Sequence, residues 1–148
     1  VGYVLGPSEL IATMTKLQEN VCACAPLPSQ YAAIEALSGK GNYSENMVNI
    51  FTKRRNVLVD GIRNIKGLSC RTPEATFYLM VDISATGMKS EEFCIALLKS
   101  DQVACVPGIA YGESCDNYIR IAFTLEEDKI REGVRRIGNF MNKLMSDK

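Results

Sequence analysis

The sequence predicts an α+β (α/β) fold with a short, mainly antiparallel sheet and helices on one face. Three observations predict it. Two segments alternate like half-buried strands, Phe77-Tyr78-Leu79-Met80-Val81-Asp82 and Tyr118-Ile119-Arg120-Ile121-Ala122-Phe123. Long stretches with apolar residues at helical spacing lie before, between and after them. The short strands are separated by one helix and a hairpin, which suggests a small, largely antiparallel sheet with helices on one face.

Each element follows in order. Val1-Gly2-Tyr3-Val4-Leu5 is β-rich and stops at the breaker pair Gly6-Pro7. Leu10, Ile11, Met14 and Leu17 form one stripe of a helix whose first turn accepts Pro7. Pro26 and Pro28 interrupt it, and Ser29 is expected to cap a second helix running to about Leu37. Gly39-Lys40-Gly41-Asn42 reads as a loop. From about Ser44 to Ile65, residues Met47, Ile50, Phe51, Leu58, Ile62 and Ile65 recur at helical spacing, and Gly67 is expected to end that helix. Lys53, Arg54 and Arg55 fall on its other faces and read as a solvated surface. Two strands, near Ser69–Arg71 and Phe77–Asp82, join around Thr72-Pro73-Glu74. A helix follows from Lys89 to Lys99, and Val103–Val106 is an apolar strand stopped by Pro107-Gly108. After the strand at 118–123, Thr124-x-x-Glu127 reads as a capping box opening a last helix with Ile130, Val134, Ile137 and Met141 on one face.

Composition removes several functions. The chain has 148 residues, 47% of them apolar, and a formal net charge of +0. That balance argues against nucleic acid or an anionic membrane surface as the main partner. No apolar run approaches the roughly 20 residues that span a bilayer, and no basic leader precedes an apolar segment at the N-terminus. The chain begins at Val1, within an apolar run and without Met, and reads as a fragment boundary. The six cysteines are scattered among apolar neighbours and are expected to be mostly buried free thiols of a reducing cytoplasm. With no histidine and no second close cysteine pair, Cys22-x-Cys24 does not make a zinc site. The absence of histidine also excludes Ser-His-Asp and Cys-His catalysis within this chain. Lys40 lacks the Gly-x-x-x-x-Gly-Lys-Ser/Thr spacing of a phosphate loop.

Arg120 is the candidate functional residue. It sits in the middle of an apolar alternating strand, where arginine is depleted and costly to bury. Two readings stay open. Arg120 is an outward-facing residue of a half-exposed strand, sharing its face with Tyr118 and Ala122, or it grips a carboxylate or phosphate in a two-pronged contact that lysine cannot reproduce.

A set of motifs in fixed order then resembles a known family. Pro73-Glu74-Ala75-Thr76-Phe77-Tyr78, Val106-Pro107-Gly108, Tyr111-Gly112 and the Arg120-Ile121 strand follow one another as in the C-terminal region of the fold-type I pyridoxal-phosphate (PLP) enzymes, the aspartate aminotransferase family of classes I and II. Gly2-Tyr3-Val4-Leu5-Gly6, Gln30 with Ala32-Ala33, and Arg54-Arg55 resemble further family segments, so the likeness covers essentially the whole chain. Ala75 stands where glycine is common and Tyr111 where phenylalanine is common.

The resemblance implies the following. Residues 1–38 are the tail of the large PLP-binding domain, a leftover strand plus helices. Residues 39–148 are the small C-terminal domain, including the long interdomain helix. Arg120 binds the substrate α-carboxylate. The parent enzyme transfers an amino group between an amino acid and a 2-oxo acid, uses PLP, and is a cytoplasmic homodimer. A C–S lyase or other PLP enzyme of the same fold, and a non-catalytic amino-acid-binding or interaction domain, are the alternatives. The Schiff-base lysine, the aspartate on the pyridine nitrogen and most phosphate contacts are expected upstream of Val1. None of the nine lysines here has the family's context. No catalytic, cofactor-binding or metal residue is therefore assigned to this chain.

Overall fold

A computed structural model of the chain describes residues 1–39 and 41–146. Lys40 lies outside the described residues. The chain divides into two compact units, Val1–Tyr43 and Ser44–Lys148.

The first unit is helical. α1 spans Ser8–Val21 and α2 spans Leu27–Leu37. Neither contains a buried residue. The expected strand at Val1–Leu5 is not formed, and Val1, Tyr3, Val4 and Leu5 are exposed. A strand needs a neighbour to take its backbone groups, and among the described residues no strand pairing forms in this unit. The expected Ser29 cap is also corrected. α2 starts two residues earlier, with Pro28 in its first turn, and the Ser29 amide donates to the Pro26 carbonyl at 3.0 Å. Proline's fixed φ and missing N–H suit a helix start, so it opens the helix rather than interrupting it.

The second unit holds the sheet. Its elements are α3 (Tyr43–Arg63, whose first residue closes the first unit), β1 (Ser69–Cys70), β2 (Tyr78–Asp82), α4 (Ser90–Asp101), β3 (Val106–Pro107), β4 (Tyr118–Ala122) and α5 (Glu127–Ser146). The strand order is β1-β2-β4-β3 and every pairing is antiparallel. The central pair runs from Tyr78 opposite Ala122 to Asp82 opposite Tyr118, with Met80 opposite Arg120.

One face of that sheet makes the core. Leu79, Val81, Ile119, Ile121 and Phe123 are buried against Leu58, Val59 and Ile62 of α3, Phe93 and Leu97 of α4, and Ile130, Ile137, Phe140 and Met141 of α5. Phe93 meets Phe140 edge to face at 5.1 Å. The N-terminal part of α3 differs from this pattern, since Met47 and Ile50 are exposed. α3 ends at Arg63, short of Gly67, whose φ of +87° completes the turn into β1.

Two sequence expectations about charge and capping fail together. Arg54 is buried, not solvated. Its guanidinium donates to the Thr124 carbonyl at 2.9 Å and to the Glu126 carboxylate, and it lies 5.5 Å from the Phe51 ring. Thr124 thus meets α3 through its carbonyl and does not open a capping box. The Ile130 amide closes the first turn of α5 onto the Glu126 carbonyl at 3.0 Å. Arg55 and Arg63 fasten the next loop, donating to the Pro73 carbonyl at 3.2 Å and to Thr72 Oγ1 at 3.0 Å.

Helices α3 and α5 meet at a glycine. A Cβ on Gly61 would lie 2.7 Å from Val134 Cγ1, whereas one on Gly133 would meet nothing within 4 Å. Gly61→Ala should therefore cost about 1–3 kcal/mol by overpacking. Gly133→Ala should gain about 0.5–1 kcal/mol from helix propensity alone. Urea unfolding of the two variants checks the pair, and equal effects would refute this packing.

Candidate functional site

The candidate site lies on the open face of the sheet. Alternation along β4 buries Ile119 and Ile121 and turns Arg120 outward, half-exposed. The same alternation along β2 puts Tyr78 and Met80 on that face. Tyr78 is the diagonal cross-strand neighbour of Arg120, within reach of a long side chain. The Arg120 guanidinium carbon lies 4.0 Å from the Tyr78 ring centroid and 5.0 Å from that of Tyr111. Among the described residues, it makes no hydrogen bond and no ion pair.

That arrangement has chemical meaning. Aromatic faces attract the guanidinium π-system and limit its rotation. Its N–H groups, which lie in the guanidinium plane, stay available. A planar acceptor such as a carboxylate matches them two-pronged.

Tyr111 comes from an irregular segment, Gly108–Asn117, built of two short 3₁₀ turns at Gly108–Tyr111 and Glu113–Cys115. The segment hangs on the first turn of α4. Ser90 is fully buried; its Oγ donates to Asp116 Oδ1 at 2.8 Å and accepts from the Ile109 amide at 3.1 Å. The Ser90 amide donates to the Asp116 carbonyl at 2.9 Å. Lys89 pairs with Asp116 Oδ2 at 3.1 Å. A carboxylate from another segment thus caps α4 at its positive end. Gly108 belongs to the same knot. A Cβ there would overlap the carbonyl oxygens of Cys115 and Tyr118, so only glycine fits.

The β1–β2 loop supports Tyr78 from the other side. Thr76 has a φ of +69°, which is strained for a β-branched residue, and its Oγ1 accepts the Tyr78 amide at 3.0 Å.

Sequence reasoning singled out Arg120 and placed it on the correct face. It missed Tyr78 and Tyr111 as flanks, although both stand inside motifs it used. It also missed Ser90 and Asp116, whose only sequence signal is a polar residue at a helix start. The cysteine expectation is corrected in part. All six are free, but only Cys94 is buried, and Cys22 and Cys24 are exposed because their unit has no core.

Comparison with known proteins agrees with the motif order. The family model described as aminotransferase class I and II matches residues 1–137. The chain belongs to that family. The chain is 34% identical over 139 residues to the aspartate aminotransferase of Pyrococcus horikoshii, covering 93% of the chain and 36% of the relative. It is also 34% identical to the LL-diaminopimelate aminotransferase of Halothermothrix orenii, covering 94% and 35%. Among solved structures, the aspartate aminotransferase of Rhizobium meliloti superposes with a TM-score of 0.81 at 32% identity, covering 93% of this chain and 36% of that one. The aromatic aminotransferase of Pyrococcus horikoshii gives 0.84 at 30% identity, covering 93% and 37%. The chain spans little more than a third of the length of the relatives it matches. Among the described residues, no helix is long and apolar enough to cross a membrane.

The Asp116 knot makes a pH prediction. Hydrogen bonds from Ser90, then the ion pair with Lys89, hold the Asp116 carboxyl below its ordinary value. A depressed folded value means that the native state favours the ionised form. The contribution is present above the unfolded value near 4 and is lost as pH falls through the folded value. Asp116→Asn should therefore destabilise the chain more at pH 7 than at pH 3. Thermal melts at the two pH values read this, and a pH-independent difference would contradict it.

Proposed function

We propose that this chain is the C-terminal part of a PLP-dependent aminotransferase, with Arg120 as the residue that binds the substrate α-carboxylate. The observation that carries the proposal is the guanidinium of Arg120, flanked by two tyrosine rings on an open sheet face and satisfied by no carboxylate among the described residues. Membership of the aminotransferase family supports the same reading. Fixing the α-carboxylate orients the amino acid's Cα bonds, a positioning role that carries a large share of catalysis. The substrates are an amino acid and a 2-oxo acid. The whole enzyme is a cytoplasmic homodimer.

The family implies PLP, which serves as an electron sink for the substrate carbanion and needs a lysine with an acidic or basic partner at its ring nitrogen. The described lysines do not fit that role: Lys16, Lys53, Lys66 and Lys99 are exposed. Lys89 is exposed and tied to Asp116, and Lys143 is tied to Asp101 on the surface. Lys129 lies in an open groove with Glu132, Arg136 and apolar residues. We therefore assign the cofactor to the rest of the enzyme, with residues 1–38 as the tail of its large domain and 39–148 as its small domain. The first unit supports this, since Leu10, Met14, Leu17, Tyr31, Ile34 and Leu37 are all exposed in it.

Two measurements test the proposal. The isolated chain, mixed with PLP and reduced with borohydride, should carry no stoichiometric adduct at any one lysine. Such labelling would overturn the cofactor assignment. In the full-length enzyme, Arg120→Ala should lower kcat/KM by about 30-fold to several thousand-fold, the equivalent of roughly 2–5 kcal/mol for a desolvated two-pronged contact. Arg120→Lys should recover only part of that loss. Both variants should leave cofactor absorbance unchanged, and the isolated chain should melt within about 3 °C of wild type. A kcat/KM within about threefold of wild type would make Arg120 an ordinary strand residue.

A further inference from the structure

Outside the Arg120 site, two nucleophilic side chains face each other across two elements. Cys94 lies on α4 and is 8% exposed; Cys105 is half-buried and immediately precedes β3. Their sulfurs are 3.2 Å apart, at a sequence separation of 11. The other four cysteines show no such sulfur–sulfur contact among the described residues. We propose that Cys94 and Cys105 form a dithiol that a hydroperoxide converts to an intrachain disulfide, stapling α4 to β3.

The geometry allows the bond. A disulfide needs its sulfurs at about 2.05 Å, so a closure of roughly 1 Å is required, which side-chain rotation and small backbone shifts can supply. Both sulfurs already point at one another. The pair also orders the chemistry. Donation from the Cys105 thiol holds Cys94 below the ordinary thiol value, while that hydrogen bond and burial raise Cys105. In the proposed route the first attack falls to Cys94, the sulfur that this hydrogen bond favours as thiolate.

The Cys94 thiolate attacks one peroxide oxygen and the O–O bond breaks. Cys94 becomes a sulfenic acid, and hydroxide leaves with the electron pair. The Cys105 thiol gives its proton to that hydroxide, making one water. Its sulfur then attacks the Cys94 sulfur, and the sulfenic oxygen leaves as hydroxide, which takes a proton from solvent as the second water. The Cys94 thiol had earlier given its proton to solvent, forming the attacking thiolate. Overall, two thiols and one peroxide give one disulfide and two waters.

The bond would brace the site region without touching Arg120. Cys105 adjoins Val106, the β3 residue paired with Arg120. Closing this loop reduces the freedom of the unfolded chain, and the folded elements are already adjacent.

The test uses the 148-residue chain and hydrogen peroxide at a small molar excess. Trypsin cleavage under non-reducing conditions should yield Ser90–Lys99 joined to Ser100–Arg120, lighter than the two separate peptides by two hydrogens. Fragmentation should place the bond at Cys105 and not at Cys115. Cys115→Ser should retain the link and Cys105→Ser should abolish it. The linked chain should melt at least about 5 °C higher than the reduced chain, reversed by dithiothreitol. A chain that keeps all six thiols, a link through Cys22, Cys24 or Cys115, or a linked chain with unchanged melting would each overturn the proposal. If Cys105→Ser does not fold, the peptide map of the wild-type chain decides alone. None of these readouts depends on the function proposed for Arg120.

Discussion

The pairing of β2 with β4 governs the rest of the second unit. Leu79, Val81 and Ile119 are 0% exposed and Ile121 is 9% exposed, so four apolar side chains commit one face of this pair to the core. Burying each contributes on the order of 1.5–3 kcal/mol. Because side chains alternate, a slip of β4 by one residue would turn Ile119 and Ile121 outward and drive Arg120 inward. An unpaired guanidinium in that core would cost several kcal/mol more. The hydrophobic effect on one face thereby fixes where the charge stands on the other. Arg120 needs no salt bridge to hold it there, and so it can keep its donors open.

Alignment of the guanidinium plane is a separate matter, settled by the loops. Tyr78 is held by the strand register and by the Thr76 hydroxyl. Tyr111 is held by a segment that has little apolar surface to bury and depends on polar contacts instead. Ser90 and Asp116 supply them, and they do so at the start of α4, where unsatisfied amides and the helix dipole favour a carboxylate. Arg54 does comparable work at the far end of β4, joining α3 to the turn that leads into α5. Both anchors connect residues distant in sequence at the two ends of one strand. The strand's middle residue is the one that the proposed chemistry uses.

This division explains what could be read from the sequence. β4 was legible because its alternation is a local property, and so was the outward face of Arg120. The helices were legible from their spacing, with errors at their ends. Ser29 and Thr124 are good capping residues by type, but Pro28 opens α2 early and Arg54 takes up the Thr124 carbonyl. The Arg54 error has the same root. Its partners lie 70 and 72 residues away, so composition made it look solvated when tertiary structure had buried it. Asp116 and Ser90 are 26 residues apart and were invisible for the same reason. Tyr78 and Tyr111 could have been found by asking which aromatic residues of the motifs share the face of Arg120.

The first unit follows a different logic. α1 has 14 residues and α2 has 11, and neither buries a side chain. Isolated helices shorter than about 12–15 residues are marginal in water, because packing of an apolar face normally supplies most of their stability. Yet the apolar stripe is present, with Leu10, Met14 and Leu17 on α1 and Tyr31 and Ile34 on α2. A sequence that keeps such a stripe on helices too short to stand alone is suited to burial against more protein than this unit contains. The β-rich segment at Val1–Leu5 obeys the same constraint, being a strand by composition that has no neighbour here. Helix and strand alike carry the pattern of a larger structure, which agrees with the unit's proposed place in the large domain of an aminotransferase.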